Sequence, residues 1–166
     1  MFKVNDYLVY RKEVCKATEI KEYKNDFLYY VITPINDTSL KIEVPTDLTV
    51  IRPLISKIEI QKIIEEIPNI KEIAENDKLL LENKYKELLR SGTYNDLITI
   101  IKTTYLRNET RDKEKKKRSE KDTTYFNLAE KYLYTEFSVV LGKSYEDTKE
   151  YVISKAREIS LEKENK

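Results

Sequence analysis

Nine lysines and arginines fall within residues 102–121: Lys102, Arg107, Arg111, Lys113, Lys115, Lys116, Lys117, Arg118 and Lys121. Only Glu109, Asp112, Glu114 and Glu120 oppose them, which leaves a net charge of about +5 over this stretch. Clustered cations displace condensed counterions from nucleic acid, so one reading is contact with a phosphate backbone. The other reading is a solvated loop between helices. The chain also carries 13 tyrosines. Interleaved Tyr and Lys/Arg can stack on bases and hold phosphates. Tyr85, Tyr105, Tyr125, Tyr132, Tyr134 and Tyr151 fall mostly at or beside core-facing helix positions, however. That favours packing with the hydroxyl reaching the surface.

Other chemistry is scarce. There is no histidine, so Ser-His and Cys-His nucleophile systems are impossible and zinc sites nearly so. The two glycines, Gly92 and Gly142, cannot build a Gly-rich phosphate loop. The single cysteine, Cys15, rules out an internal disulfide and reads as a small buried residue in a strand. The acidic pairs Glu65-Glu66 and Glu146-Asp147 could hold a divalent metal for phosphodiester cleavage, but nothing aligns them toward a pocket. These patterns point away from an enzyme and toward binding surfaces, with no cofactor and no metal.

The elements that must position these residues change character near residue 55. Before it the chain reads as short strands at 3–10, 14–20, 27–33, 40–44 and 48–51, alternating as half-buried strands do. Asn25-Asp26 and Asn36-Asp37-Thr38-Ser39 supply turn chemistry. Five short antiparallel strands of this length predict a small, strongly bent barrel of the SH3-like or Tudor-like kind. About 55 residues is near the lower limit for a self-sufficient core. After the junction at 52–57 the chain reads as helices. Ser56-Lys57-Ile58-Glu59 is a capping box followed by Ile60, Ile63, Ile64 and Ile67 at helical spacing. Pro68 ends that helix or restarts the next. A second helix is predicted from Asn69 or Asn76 to Arg90, capped by Ser91-Gly92. Thr93 or Asn95 caps a third, the charged stretch 108–121 interrupts, and a fourth spans about 122–141. Ser144 opens a fifth, which frays near Glu162. The fold class is α+β with two parts, residues 1–53 and 54–166.

The 166 residues are 40% hydrophobic and 37% charged with a net charge of +1, as in a soluble folded chain with a heavily charged surface. No apolar run approaches the ~18 residues needed to span a bilayer. The N-terminus has no signal-peptide pattern. The expectation is a cytoplasmic monomer without membrane contact.

The order and spacing of several motifs resemble the CarD/CdnL family of bacterial transcription regulators, in a form lacking the family's wedge tryptophan. In the first part these are Phe2-x-x-x-Asp6-Tyr7, Val9-Tyr10, Val14-Cys15-Lys16, Tyr29-Tyr30 and Ile42-Glu43-Val44-Pro45. The junction Ile51-Arg52-Pro53-Leu54-Ile55-Ser56-Lys57 follows. The most specific stretches are Tyr85-Lys86-Glu87 through Ser91-Gly92, and Ile100-Ile101-Lys102-Thr103 with Tyr105-Leu106-Arg107. Ala129-Glu130 and Leu133-Tyr134-x-Glu136 complete the pattern, which covers about residues 1–152.

The resemblance implies a Tudor-like β-module that binds a lobe of the RNA polymerase β subunit, as in transcription-repair coupling factors. It does so by laying a strand edge against the polymerase. That edge would comprise Leu40, Lys41, Ile42, Glu43, Val44 and Pro45, with Tyr23 nearby. The helical part would lie on promoter DNA at the upstream edge of the melted bubble and stabilise the open complex, where an apolar wedge enters the minor groove. DNA contacts would fall on Lys78, Lys84, Lys86, Arg90, Lys102, Arg107, Arg111, Lys115, Lys116, Lys117 and Arg118.

The chain departs from this pattern at several positions. It has no tryptophan. The wedge position falls on Ala74, and an arginine expected on the same helix falls on Leu81. Stacking of an aromatic on a base contributes roughly 1–3 kcal/mol, so this loss would cut DNA affinity by about tenfold or more. Glu13 replaces the glycine before Val14, so the first hairpin should turn differently. Glu43 stands where some relatives have a basic residue. An alternative is therefore a polymerase-binding adaptor or competitor without wedge activity.

Overall fold

A computed structural model describes residues 1–166 and divides them into two units, Met1–Ile55 and Ser56–Lys166. The first is a five-stranded antiparallel sheet: β1 (Tyr7–Tyr10), β2 (Glu13–Tyr23), β3 (Phe27–Pro34), β4 (Ile42–Pro45) and β5 (Ile51–Arg52). Their order is β4-β3-β2-β1-β5. Leu8, Cys15, Ala17, Tyr30, Ile32 and Val44 form the buried core of this sheet. A bulge between Ala17 and Glu19 re-aims the outer half of β2.

The expected barrel is not closed. β4 pairs only with β3, and β5 pairs only with β1. β5 has two residues and β4 four, too short a ladder to join the two edges. Three predicted strands also shrink. Residues 3–6 form a turn, with the Lys3 N–H donating to Asp6 Oδ2 at 2.8 Å, so β1 starts at Tyr7. Leu40 closes a turn by donating its N–H to the Asp37 carbonyl at 3.2 Å, and Lys41 also lies ahead of β4. The Leu48 N–H donates to the Pro45 carbonyl, so β5 keeps only Ile51 of the expected strand and adds Arg52.

The first hairpin takes a two-residue loop, Arg11-Lys12, with φ of 48° and 70° between the paired Tyr10 and Glu13. Both residues adopt the left-handed backbone that glycine would take without steric cost.

The helical unit contains α1 (Lys57–Glu66), a 3-10 turn (Ile67–Asn69), α2 (Lys78–Ser91), α3 (Tyr94–Lys113), α4 (Glu120–Leu141) and α5 (Tyr145–Glu164). Every α-helix has a side-chain N-cap: Ser56, Asp77, Thr93, Ser119 and Ser144. Ser56 and Glu59 complete the capping box expected from sequence. Both glycines of the chain end helices in left-handed conformation, Gly92 after α2 at φ 62° and Gly142 after α4 at φ 63°. The core draws on every helix, with Ile60 and Ile64, Leu81 and Tyr85, Leu97 and Ile100, Leu133 and Phe137, and Val152.

Two boundaries differ from the sequence reading. α3 runs through most of the charged stretch to Lys113, because Arg107 and Arg111 are anchored and Lys113 pairs with Glu109 one turn back. The connecting loop is only residues 114–119. Ala74 does not share a helix with Leu81. It lies in the extended segment before Asp77, where the neighbouring Ile73 N–H donates to Thr103 Oγ1 at 2.9 Å.

Candidate functional site

The sheet offers a free edge at β4. Its register with β3 runs Tyr29↔Pro45, Tyr30↔Val44, Val31↔Glu43 and Ile32↔Ile42. Val44 points into the core, being 2% exposed, so Glu43 falls on the opposite face. The Lys21 ammonium on β2 lies 2.7 Å from Glu43 Oε1, and the Tyr23 hydroxyl donates to Glu43 Oε2 at 2.6 Å. Tyr23 also meets Tyr29 edge to face at 5.1 Å. The Lys21 and Tyr23 hydrogen bonds hold the Glu43 carboxyl below its usual pKa, and the same bonds push Lys21 and Tyr23 up. This cluster presents one ionised carboxylate beside an exposed aromatic, on the face next to an open strand edge. Of the predicted edge, Ile42, Glu43, Val44 and Pro45 are strand, whereas Leu40 and Lys41 flank it. Lys21, Tyr29 and Phe27 were missed. Their signal was the alternation Lys21, Tyr23 and Phe27, Tyr29 across a hairpin whose tip pairs Tyr23 with Phe27.

The helical candidates scatter. Seven of the nine cations at 102–121 already have partners. Lys102 donates to the carbonyls of Ile67 at 2.5 Å and Ile70 at 2.7 Å, tying α3 to the 3-10 turn. Arg107 and Arg111 grip Asp122 Oδ2 at 2.9 and 2.6 Å. Lys113 pairs with Glu109, Lys116 with Glu114, Arg118 with Asp112 and Lys121 with Glu82. Lys115 and Lys117 have no ion pair and lie exposed in the α3–α4 loop. The exposed pairs are weak, and a phosphate could exchange into them. The Asp122 and carbonyl contacts are structural.

On α2, Lys84, Lys86 and Arg90 are exposed, and Lys78 is exposed at its first turn. Lys86 approaches Glu82 at 3.6 Å. Leu79 and Leu80, 67% and 52% exposed, share this surface. Leu81 is 3% exposed and packs in the core, so it cannot stand for a DNA-facing arginine. Ala74 is exposed but carries only a methyl group.

The buried carboxylates of α4 were not foreseen. Asp122 is 2% exposed and accepts from Arg107, Arg111 and the Tyr85 hydroxyl. Burial alone would raise its pKa, but the Arg111 and Arg107 hydrogen bonds and charges outweigh it and hold the carboxyl below its usual value. Glu130 is 6% exposed and faces Lys149 at 3.0 Å. There burial wins and pushes the carboxyl up, against the pull of Lys149. Glu136, 2% exposed, accepts from the Tyr94 hydroxyl.

Burial, with Glu13 adding to it, pushes the Cys15 thiol up to about 11, which makes it a poor nucleophile. Glu65-Glu66 and Glu146-Asp147 are exposed helix residues, and no group of three acidic or cysteine side chains converges to hold a metal. No helix is long and apolar enough to cross a membrane. No protein-family model matches the chain, and no curated protein matches it.

Proposed function

We propose that this protein is a transcription regulator of the CarD/CdnL type. Its Tudor-like β-unit docks on the RNA polymerase β subunit, and its helical unit touches promoter DNA through phosphates. The observation that carries the reading is β4: a four-residue edge strand with one unpaired side, next to the Tyr23–Glu43–Lys21 cluster. An open edge with a side-chain cluster beside it suits strand addition, in which backbone bonds supply affinity and flanking side chains supply specificity. The motif order along residues 1–152 names the polymerase lobe as the strand donor. Lys115, Lys117, Lys84, Lys86 and Arg90 are the cations available to DNA.

The experiment is calorimetry against the isolated lobe of the polymerase β subunit, with Glu43→Ala and Tyr23→Ala as edge variants. Binding by the native chain that both variants weaken supports the reading. No binding to the lobe or to whole polymerase overturns it.

A second reading is favoured by the committed cations. With seven of nine already engaged by carboxylates or backbone carbonyls and only a methyl at residue 74, the chain would serve as an adaptor or competitor on the same lobe without wedging DNA. A gel shift on forked promoter DNA, with and without polymerase, separates the two.

A further inference from the structure

The helical unit contains an open groove of about 830 Å³ between α3, α4 and α5, with the 3-10 turn at its border. That volume lies in the range of sites for small organic ligands. Half-buried Ile101, Phe126, Ile153 and Ala156 give it apolar surface, over a floor of the buried Ile98, Leu133 and Val152. Seven charged side chains also face it. Its three carboxylates are all matched: Glu109 by Lys113 at 3.1 Å, Asp112 by Arg118 at 2.6 Å and Glu130 by Lys149 at 3.0 Å. Its four cations are not. Arg118 and Lys149 have those partners, but Lys102 and Arg157 have no carboxylate within ion-pair distance. Lys102 uses two of its three donors on the carbonyls of Ile67 and Ile70.

An ammonium drawn out of water beside apolar walls is costly until an anion meets it. Burial does push the Lys102 pKa down, with only the more distant charge of Glu72 acting against it. The groove therefore combines the half-buried Lys102 ammonium and the exposed Arg157 guanidinium, neither paired with a carboxylate, with apolar side chains and an aromatic rim at Tyr105, which is 53% exposed.

We propose that this groove binds a single-chain anionic amphiphile, its carboxylate on Lys102 and Arg157 and its hydrocarbon tail along Ile101, Phe126, Ile153 and Ala156. The polymerase reading plays no part in this, and either can fail alone. An acidic peptide laid over Ile101, Phe126, Ile153 and Ala156 would hold its backbone N–H and C=O groups against side chains that offer no polar partner. A saturated tail needs none.

The test is isothermal titration of the full chain with dodecanoate below its micellar concentration, with dodecanol as the uncharged comparison. Saturable binding of one dodecanoate per chain is expected, with dodecanol much weaker. Arg157→Gln should weaken dodecanoate about threefold to fivefold, the scale of one solvent-exposed ion pair. Ala156→Trp, which fills the groove, should abolish binding while circular dichroism shows an unchanged helix content. Lys102 is left intact because its carbonyl contacts hold the 3-10 turn. No saturable binding, equal binding of dodecanol, or native-like affinity in both folded variants would overturn the proposal. The first of these would leave the groove to a protein segment.

Discussion

Arg111 Nη1 lies 2.6 Å from Asp122 Oδ2, joining the last turns of α3 to the first turn of α4. Arg107 reaches the same oxygen from one helical turn earlier, and the Tyr85 hydroxyl of α2 takes the other at 3.1 Å. One carboxylate thus ties three helices together. Two of the arginines that a charge count assigns to DNA are spent on it.

Asp122→Asn should therefore destabilise the protein strongly. Removing one partner of a buried ion pair costs roughly 3–5 kcal/mol, and the lower end applies because Arg107 and Arg111 keep 28% and 19% of their side-chain surface exposed. Chemical denaturation followed by circular dichroism measures it. A loss below about 1 kcal/mol, the scale of an ordinary surface pair, would show that the clamp contributes little.

Two of the buried carboxylates of α4, Asp122 and Glu130, should titrate in opposite senses. Asp122 has its folded pKa below the ordinary 3.8, so its contribution is present above 3.8 and is lost as pH falls through the folded value. Glu130 has its folded pKa above the ordinary 4.5, so folding disfavours its charged form, and that cost is relieved as pH falls through the folded value. Melting temperature against pH should show Asp122→Asn removing the acid-side loss below pH 3.8. Glu130→Gln should leave stability at pH 7 equal or higher. A large loss at pH 7 in Glu130→Gln would contradict the burial argument.

The Arg11-Lys12 loop predicts a stabilising change. Lys12 sits at φ 70°, where a side chain costs about 1–2 kcal/mol relative to glycine. Lys12→Gly should raise stability by about 1 kcal/mol without altering the Tyr10–Glu13 pair. A lower melting temperature in this variant would contradict the hairpin geometry.

DNA binding should separate the free cations from the structural ones. Lys115→Ala with Lys117→Ala should leave the melting temperature unchanged and flatten the salt dependence of DNA affinity by about two phosphate contacts. Arg107→Ala should instead lower the melting temperature. DNA affinity and salt slope both unchanged in the lysine double variant would remove the loop from the proposed interface.

Much of the secondary structure was legible in the chain because its signals are local. Ser56 and Glu59 capped α1 as their spacing required, Thr93 and Ser144 opened their helices, and the two glycines closed α2 and α4. The β-to-α change near residue 55 was likewise written in the switch from alternation to helical spacing. The sites were less legible. A lysine in sequence reads the same whether it meets solvent, a phosphate or a carbonyl. Only packing puts Ile67 and Ile70 within reach of Lys102, or Asp122 between two arginines.

The sequence alone determined that no histidine-based nucleophile can form, that Ser56, Thr93 and Ser144 open helices and Gly92 and Gly142 close them, and that the chain has a β-part and an α-part. Those follow from residue type and from spacing within a few positions. Tertiary structure decided that the sheet stays open with β4 as a free edge, that Leu81 belongs to the core, and that most of the basic stretch is already neutralised. These depend on contacts between residues far apart in the chain, such as Tyr23 with Glu43 or Lys121 with Glu82, which no local pattern specifies.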